Sequence, residues 1–305
     1  MEKFSVTVVI PVYNVEKYIE RAIESVLIQP EVSELILVDD ASTDSTIKIC
    51  KEKIFSNRVI ILQHPNNLNR GVSASRNLGI KFASNNYVAF LDGDDYYLPN
   101  RFKETKSYFN NDNVDGVYEL VGIHSDTKCG EEFSKIEKVD SEFLFENLQP
   151  FGSKVWFHAN GFTVKKSSFL KSGYFDETLK TSEDTLQWLK MSATCRLISG
   201  STNDFVAMSY RRTNSLSSNE IQVHQDFISM FLKLFKFCTR NNISPIRKEL
   251  VLKNLYSFIS FNPYSNYFKG INRTQLYVKT LSIDPVFVLF QSKSFRISLI
   301  NWIFK

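Results

Sequence analysis

The first hundred residues of the chain alternate between two hydrophobic patterns. Short runs of consecutive apolar and β-branched residues, typical of buried parallel strands, occupy positions 6–10, 35–38, 59–62 and 87–91. Between these runs, apolar side chains recur about four positions apart, which predicts amphipathic helices, over 15–28 and 72–84. Capping oxygens at 42–45 predict a further helix over about 44–53. Strands that alternate with helices favour right-handed crossovers and a parallel sheet.

Polar residues stand directly after three of the predicted strands. Tyr13 follows the first, Asp39 and Asp40 end the second, and Asp92 and Asp94 follow the fourth. In a parallel sheet the carboxyl ends of the strands share one edge, where ligands bind. Each acidic pair could instead form a turn, since Asp-Gly pairs are common in turns. Because the pattern recurs at three strand ends, a binding crevice is the favoured interpretation.

The usual phosphate-binding loops are missing from the chain. No glycine follows the first strand, where a dinucleotide-binding GxGxxG motif would stand, and no GxxxxGK[ST] motif occurs. A diphosphate bound at the crevice would therefore need another source of positive charge. A divalent metal held by the carboxylates of Asp92 and Asp94 would supply it, because Mg²⁺ and Mn²⁺ bind through a few carboxylates and substrate phosphates.

Composition excludes several classes of protein. With 305 residues, of which 43% are hydrophobic and 23% charged, the chain can bury a sizeable core and does not resemble a disordered sequence. No apolar stretch approaches the roughly 20 residues that span a bilayer. No signal peptide is recognised, so we expect a cytoplasmic protein. Four scattered cysteines without a CxxC pair argue against a zinc site.

Charge is distributed unevenly along the chain. Residues 211–305 hold 14 Lys and Arg against 4 Asp and Glu, whereas residues 1–210 have a net charge of −6. An apolar stripe over 223–239 is expected to pack on the rest of the protein. For the aromatic and basic segment 284–305, packing and an interfacial helix on an anionic membrane surface are equally supported. Membrane contact would make the protein peripheral at the inner face of the cell membrane. No nucleic-acid-binding motif is recognised, so nucleic acid is not an expected partner.

Four segments together resemble the signatures of family 2 glycosyltransferases of the GT-A fold. They are VIPVYN at 9–14, VDDASTD at 38–44, GVSASRN at 71–77 and FLDGDD at 90–95. The resemblance implies an α/β fold with a GT-A-type, Rossmann-like, mostly parallel sheet flanked by helices. It also implies a nucleotide-sugar-binding half (1–110) and an acceptor-binding half (111–215). The apolar spacing and charge of the remaining residues, which match no family motif, predict a mainly helical, basic aromatic C-terminal extension (216–305).

The same resemblance implies a reaction. A sugar would move, with inversion, from a nucleotide diphosphate-sugar, UDP-sugar being favoured, to a hydroxyl of a glycan or lipid-linked acceptor in cell-surface polysaccharide synthesis. Tyr13 would lie against the uracil and Asp40 would accept its imide N–H, while Asp94 would hold Mn²⁺ or Mg²⁺ on the diphosphate. The implied nucleotide-sugar-binding residues are Pro11, Tyr13, Asp39, Asp40, Asn69, Arg76, Asp92, Gly93 and Arg211.

A second group of residues concerns the acceptor. The sequence TSEDTLQWL at 181–189 resembles the family's ED element, which opens a helix. The resemblance makes Asp184 the general base that deprotonates the acceptor hydroxyl. The alternative is that Ser182, Glu183 and Asp184 only cap the helix. Trp156, Gly161 and Glu183 are the expected acceptor-binding residues, and Gly161 would allow a sugar to approach the backbone closely.

One departure from the family pattern concerns the metal. The segment YRRT at 210–213 has Thr213 where many members have a histidine. Arg211 or Arg212 would then bind the diphosphate directly. Two other functions stay open at this point. One is a non-catalytic protein that binds a nucleotide-sugar, and the other, with less support, is a nucleic-acid-binding protein that uses the basic C-terminus.

Overall fold

The computed structural model describes residues 4–52, 57–124, 129–132, 134–210, 220–260 and 273–303, and these contain thirteen strands and eleven α-helices. The strands are β1 (Val6–Val12), β2 (Val32–Asp39), β3 (Val59–Gln63), β4 (Tyr87–Phe90), β5 (Tyr96–Tyr97), β6 (Gly116–Tyr118), β7 (Val121–His124), β8 (Cys129–Glu132), β9 (Lys135–Ile136), β10 (Val155–Trp156), β11 (Phe162–Lys165), β12 (Leu197–Ser199) and β13 (Ala207–Tyr210). The helices are α1 (Ile19–Leu27), α2 (Thr46–Glu52), α3 (Val72–Phe82), α4 (Thr105–Tyr108), α5 (Leu144–Asn147), α6 (Ser168–Ser172), α7 (Glu183–Thr194), α8 (Glu220–Arg240), α9 (Pro245–Ser260), α10 (Arg273–Ile283) and α11 (Lys293–Ile303).

Seven strands form the central sheet, in the order β12–β6–β11–β4–β1–β2–β3. Neighbouring strands are parallel except at β11, which runs antiparallel to both β4 and β6. The predicted, mostly parallel sheet is therefore confirmed, and it brings the carboxyl ends of β1, β2 and β4 to one edge. Strands from residues 1–110 and from 111–215 belong to this one sheet, so the boundary between the two halves stays a prediction.

The first strand continues to Val12, although the sequence predicted that Pro11 ends it. Along β1 the peptide groups of alternate residues face β2 and β4, and those of Val9 and Pro11 face β4. Pairing with β4 ends before Pro11, at the pair of Val9 and Phe90. The missing N–H of Pro11 therefore removes no hydrogen bond from the sheet, which is why a proline is tolerated inside this strand.

Side chains of the central strands alternate between two apolar layers. Val8 and Ile10 belong to the layer that includes the apolar face of α1. Val9 and Phe90 belong to the opposite layer, which includes side chains of α3, α7 and the C-terminal helices. This alternation follows the two-residue period of a strand. Because both faces of the sheet are covered, its strands are the continuous apolar runs seen in the sequence.

A four-stranded sheet, in the order β5–β13–β7–β8, and a two-stranded ribbon of β10 and β9 complete the strands of the described chain. Strand β5 comes directly after the 92–95 loop, which leaves the carboxyl end of β4. The N–H of Tyr210, at the end of β13, donates to Asp95 Oδ1 at 2.6 Å. The second sheet therefore holds the far end of the loop that follows β4.

The described part of the C-terminal region is helical, as predicted. Helix α8 packs against α7 and α9. Met230, Phe231 and Leu234 of α8 are buried in the same apolar layer as Val9 and Phe90. The expectation that the 223–239 stripe packs on the rest of the protein is confirmed. Among the helices that the structure describes, none is both long enough and apolar enough to cross a membrane.

In the segment from residue 284 onward, some apolar side chains are buried and others are exposed. Phe287 and Phe295 are buried in the apolar layer, so part of the segment is core. Val286 and Phe290, by contrast, are 63% and 75% exposed. The Nη1 atom of Arg296 donates to the carbonyl oxygen of Phe290 at 2.9 Å, which places a basic group at the backbone of an exposed residue. The expected membrane contact stays a prediction, and it now concerns the exposed residues alone.

Candidate functional site

Hydrogen bonds join the loops after β1 and β2. Asn14 Oδ1 accepts from the Thr43 N–H at 2.8 Å, and Thr46 Oγ1 accepts from the Val15 N–H at 2.8 Å. Asp44 Oδ1 accepts from the Thr46 N–H at 2.9 Å at the start of α2, as the capping pattern predicted. Asp44 and its neighbours therefore fix the position of the two loops that border the predicted crevice.

Three of the expected donor-binding residues meet at the end of β1. Tyr13 directly follows the strand and is 49% exposed, while Pro11 is partly buried. Gly93 packs over this strand end, since a Cβ atom on it would lie 3.2 Å from the carbonyl oxygen of Pro11. A larger residue at position 93 would therefore press on the strand. The exposed Tyr13 ring is available for stacking with a planar group.

Asp40 organises the loop that leads into α3. Its side chain is buried, and its two carboxylate oxygens accept from the N–H groups of Arg70, at 2.6 Å, and Gly71, at 2.9 Å. The side-chain amide of Asn69 donates to the Asp40 carbonyl oxygen at 3.0 Å. Gly71 has a φ of +85°, which glycine adopts at no steric cost. A uracil imide would be a further donor to Asp40, because a carboxylate has about four lone-pair sites.

Both carboxylate oxygens of Asp39 accept hydrogen bonds from the protein. Oδ1 accepts from the Ser42 N–H at 3.1 Å, and Oδ2 accepts from Gln63 Nε2 at 3.0 Å. The turn between Asp39 and Ser42 contains Ala41, whose φ of +66° is unusual for a residue with a side chain. Asp39 therefore stabilises this turn, and its contact with a donor stays a prediction.

Arg76 is a buried cation that joins two acidic groups. Its Nη2 atom donates to Asp92 Oδ1 at 2.8 Å, and its Nη1 atom donates to Glu183 Oε1 at 3.0 Å. Its guanidinium carbon lies 5.4 Å from the centre of the Phe175 ring. Burial by itself would raise the pKa of Asp92, but Arg76 and His158 outweigh it and hold that pKa below its ordinary value. Arg76 thus connects the loop after β4 with the start of α7.

Asp92, Asp95 and His158 form the one group of three metal-ligating side chains found in the described residues. Their ligand atoms all lie within 4.8 Å of one another. Asn160 braces the group, because its Oδ1 accepts from the Asp92 N–H at 3.0 Å and its Nδ2 donates to Asp95 Oδ2 at 2.6 Å. Burial and the like charges of Asp94 and Asp92 raise the pKa of Asp95 well above its ordinary value.

The chemistry of this group fits a divalent cation. Carboxylate oxygens suit Mn²⁺ and Mg²⁺, and an imidazole nitrogen is a common ligand of transition metals. A bound cation would also offset the repulsion among the carboxylates. Asp94, the residue expected to hold the metal, is outside the group, and its carbonyl oxygen accepts from Arg21 Nη2 at 3.2 Å. Its metal contact stays a prediction, and sequence reasoning did not select Asp95 or His158.

Helix α7 begins with Glu183 and Asp184, as the resemblance to the ED element predicted. Ser182 occupies the N-cap position with a φ of +61°, and its side chain makes no capping hydrogen bond. The cap proposed for Ser182 is therefore absent. Asp184 Oδ1 accepts from the Thr185 N–H at 2.6 Å. Burial and the neighbouring charge of Asp184 raise the pKa of Glu183 to about 7, against the opposing effect of Arg76.

The other expected acceptor-binding residues lie in β10 and just before β11. Trp156, in β10, is partly buried. Gly161 is buried, and a Cβ atom on it would collide with the carbonyl oxygen of Glu119. Packing against the Glu119 backbone therefore requires a glycine here, and the contact of Gly161 with a sugar stays a prediction. Arg211 and Thr213 lie outside the described residues.

Sequence reasoning missed the side chains that join the two halves of the site. Asn77, the last residue of the 71–77 segment, exchanges two hydrogen bonds of 3.0 Å with the Phe175 backbone and donates to Glu177 Oε1 at 3.0 Å. Arg70 Nη2, from the Asp40 loop, lies 3.3 Å from Glu177 Oε2. The available signal was that Asn77 falls within the family-like segment 71–77. Nothing in that segment indicates that Asn77 contacts Phe175 and Glu177.

Comparison with known proteins identifies the family of the chain. The sequence model of the family described as Glycosyl transferase family 2 matches residues 7–176, which is more than half of the chain. The minor teichoic acid biosynthesis protein GgaB of Bacillus subtilis is 32% identical over 193 residues, which are 59% of this chain and 20% of GgaB. The chain thus spans a fifth of the length of this curated relative.

Two solved structures share the fold. TarS 1–349 of S. aureus in complex with UDP-GlcNAc aligns with a TM-score of 0.68 and 21% identity, over 90% of this chain and 79% of that one. The mannosyltransferase PcManGT of Pyrobaculum calidifontis, in complex with GDP-Man and Mn²⁺, aligns with a TM-score of 0.56 and 16% identity, over 97% and 86%. The glycosyltransferase fold predicted from the sequence is confirmed, and the chain belongs to glycosyl transferase family 2.

Proposed function

We propose that the chain transfers a sugar from a UDP-sugar to an acceptor hydroxyl, with inversion at the transferred sugar. The observation that carries the proposal is the double contact of Arg76. Through it, Asp92 at the carboxyl edge of the sheet and Glu183 at the start of α7 belong to one hydrogen-bonded cluster. A donor site and a general base would then lie close together, as a single displacement requires.

The donor nucleotide would lie across the carboxyl ends of β1, β2 and β4. Tyr13 would stack on the uracil, and Asp40 with its bonded Asn69 would face the edge of the base. Asp92, held near the sheet edge by Arg76, would face the ribose or the sugar. The UDP-GlcNAc bound to TarS supports a UDP-sugar, whereas PcManGT holds GDP-Man. Fold alone therefore does not select the base, and we assign that selection to Asp40.

A divalent metal, Mn²⁺ or Mg²⁺, would offset the negative charge that develops on the departing diphosphate. Asp92, Asp95 and His158 offer the converging ligand atoms among the described residues, and Asp94 is the ligand that the resemblance favours. The Mn²⁺ in PcManGT supports a metal in this fold. Arg211 is proposed as a direct partner of the diphosphate.

Asp184 is the proposed general base. Thr185 donates to Oδ1 from its N–H at 2.6 Å and from its hydroxyl at 3.3 Å. In the described part of the chain nothing donates to Oδ2, which would accept the proton of the attacking hydroxyl. Glu183 lies beside it in a buried position and accepts a hydrogen bond from Arg76, which joins the proposed base to the loop after β4.

The acceptor is proposed to be a glycan, free or linked to a lipid, of the cell surface. The name of GgaB refers to minor teichoic acid biosynthesis, which supports a cell-surface polymer. Trp156 would offer an aromatic face to a sugar ring. Glu183 would border the same site through its place next to Asp184. Gly161 keeps only a proposed place near the acceptor, because its open face is filled by Glu119.

We also propose contact with the inner face of an anionic membrane through the terminal segment. Val286, Leu289 and Phe290 are exposed within five consecutive residues, and Arg296 donates a hydrogen bond to the carbonyl oxygen of Phe290. Apolar side chains next to basic ones suit an anionic leaflet. Leu289→Ser with Phe290→Ser should reduce cosedimentation with phosphatidylglycerol vesicles, while Leu170→Ser, which changes a leucine 83% exposed on α6, should not. Equal vesicle binding by the wild type, the double variant and Leu170→Ser would contradict the proposal.

The test of the transferase proposal is release of UDP from a panel of UDP-sugars, with Mn²⁺ and with teichoic-acid-type or lipid-linked acceptors. Acceptor-dependent turnover by the wild-type chain, and its loss in Asp184→Asn, would support the proposal. UDP binding without turnover of any donor would favour the non-catalytic alternative. Equal turnover by the wild type and Asp184→Asn would show that Asp184 is not the general base and only stabilises the start of α7.

A further inference from the structure

Helix α8, in the C-terminal extension, reaches the segment that leads into α7. Asp226 of α8 is 5% exposed, and its Oδ2 atom accepts from the N–H groups of Lys180, at 3.2 Å, and Thr181, at 2.9 Å. The Thr181 hydroxyl donates to the same oxygen at 3.0 Å. Oδ1 accepts from Gln222 Nε2 at 3.1 Å. Asp226 is thus a buried carboxylate whose Oδ2 atom binds Lys180 and Thr181, just before Ser182, the N-cap residue of α7.

A second side chain of α8 holds the beginning of the same segment. Lys233, two turns after Asp226, donates from Nζ to Asp176 Oδ2 at 2.7 Å and to Thr178 Oγ1 at 2.8 Å. Burial by itself would raise the pKa of Asp176, but hydrogen bonds from Lys233 and Thr178 outweigh it and lower that pKa. The segment 176–181 is therefore tied to α8 at both of its ends.

These contacts hold the residues that come directly before the start of α7. Ser182 has a left-handed backbone and no side-chain cap, so its own residue type does not fix the entry into the helix. The N–H groups of Lys180 and Thr181 are instead satisfied by Asp226, from a helix that follows in the sequence. The direction in which α7 begins therefore depends on α8. The position of Asp184, the second residue of α7, depends on it as well.

We propose that Asp226 is a positioning residue for Asp184, and that Lys233 supports it, so that the C-terminal extension completes the acceptor side of the active site. The inference rests on the proposed function, in which Asp184 is the base. A misplacement of about 1 Å in a reacting group can lower the rate about 100-fold. An extension that served only to cover the core would have no such effect.

The test compares Asp226→Asn and Asp226→Ala with Asp284→Asn. Asp284 is a matched control because it is a carboxylate of the same extension that accepts from Lys248 Nζ at 2.9 Å and the Phe287 N–H at 3.0 Å, away from the 176–184 segment. We expect kcat to fall about tenfold in Asp226→Asn and about 100-fold in Asp226→Ala. The KM for the donor and the Kd for UDP should change less than about twofold, and asparagine should retain part of the rate because it keeps one acceptor oxygen.

A second measurement does not depend on turnover. Amide hydrogen exchange over residues 180–186 should be faster in Asp226→Asn than in the wild type, and unchanged in Asp284→Asn. Unchanged exchange in the Asp226 variants would overturn the inference whatever the activity. So would an equal loss of kcat in the Asp226 and Asp284 variants. If the wild-type chain turns over no donor but amide exchange over 180–186 is faster in Asp226→Asn, the contact between Asp226 and this segment is supported. The proposed function is then overturned instead.

Discussion

The Nη1 atom of Arg76 donates to Oε1 of Glu183 at 3.0 Å, between residues 107 positions apart in the sequence. The same guanidinium holds Asp92, so α3, the loop after β4 and the start of α7 meet at one buried cation. A buried ion pair adds little net stability, because removing both charges from water has a large desolvation penalty. Its effect here is geometric, since α7 cannot shift relative to the loop after β4 without breaking this contact.

Removal of the Arg76 charge should strongly destabilise the fold. Arg76→Met would leave the buried carboxylate of Glu183 and the partly buried carboxylate of Asp92 without their common partner. We expect the free energy of unfolding to fall by about 3–5 kcal/mol, measured by urea denaturation. The double variant Arg76→Met with Glu183→Gln should lose less than the sum of the two single variants, because one uncompensated charge is gone. Strict additivity would contradict the contact.

Replacement of Asp184 should separate catalysis from binding. In Asp184→Asn we expect kcat to fall about 10² to 10⁴-fold, since the general base is lost. The Kd for UDP should stay the same, because Asp184 lies at the start of α7 and outside the expected nucleotide pocket. Calorimetric titration with UDP and a turnover assay on the same sample measure both. A parallel loss of UDP binding would show that Asp184 supports the fold of the site.

Replacement of Asp40 should weaken binding of the base and its selectivity. Asp40→Ala leaves the N–H groups of Arg70 and Gly71 without their acceptor, and an unsatisfied buried group costs about 1–3 kcal/mol. We expect the affinity for UDP to fall about tenfold or more, and the preference for UDP over GDP and CMP to narrow. If the variant binds UDP more weakly yet keeps its full preference, the base is recognised elsewhere.

The metal dependence of UDP binding can show whether the metal is held by Asp94 or by Asp92, Asp95 and His158. His158→Ala should reduce the part of UDP binding that requires Mn²⁺ and leave binding without metal unchanged, if His158 is a ligand. Asp94→Asn should do the same if the family-based expectation is correct. Titration of UDP with and without Mn²⁺ for both variants gives the answer. Wild-type affinity that does not depend on Mn²⁺ would contradict both assignments.

Lys190 should make stability depend on pH in the alkaline range. Its Nζ atom donates to the Tyr174 carbonyl oxygen and to Gln187 Oε1, both at 2.9 Å. Burial lowers the pKa of Lys190 from its ordinary 10.5 to about 8. Between these values the unfolded chain binds a proton that the folded chain has released, so stability rises with pH. Relative to Lys190→Met, the wild-type unfolding midpoint should therefore increase from pH 8 to pH 10. A constant difference would contradict the lowered pKa.

Local patterns predicted the first hundred residues well, for physical reasons. A parallel sheet covered on both faces requires continuous apolar strands such as 6–10 and 35–38, and these are visible in the sequence. The buried stripe of α8 was predicted from apolar residues at helical spacing. Pro11 was the exception, because whether a proline ends a strand depends on which neighbour its N–H would face, and that is a property of the sheet.

Long-range contacts could not be predicted in this way. The bond between Asp95 and Tyr210 spans 115 positions, and that between Thr181 and Asp226 spans 45. Neither pair has a local pattern that indicates its partner. Motif resemblance selected Asp94 but passed over Asp95, because the direction of the Asp95 carboxylate is set by Asn160 and by Tyr210 of β13. The packing role of Gly161 was missed for the same reason, since its neighbour Glu119 lies 42 positions earlier, between β6 and β7.

The most direct test of the account is thermal unfolding of the wild-type chain with UDP, GDP, dTDP and CMP, each with and without Mn²⁺. A ligand at 100 times its Kd adds about 2.7 kcal/mol of stability, which shifts the midpoint by several degrees. We predict a shift with UDP that is larger when Mn²⁺ is present and smaller in Asp40→Ala. A larger shift with another nucleotide would overturn the role given to Asp40, and no shift with any nucleotide would contradict a nucleotide-sugar site at this crevice.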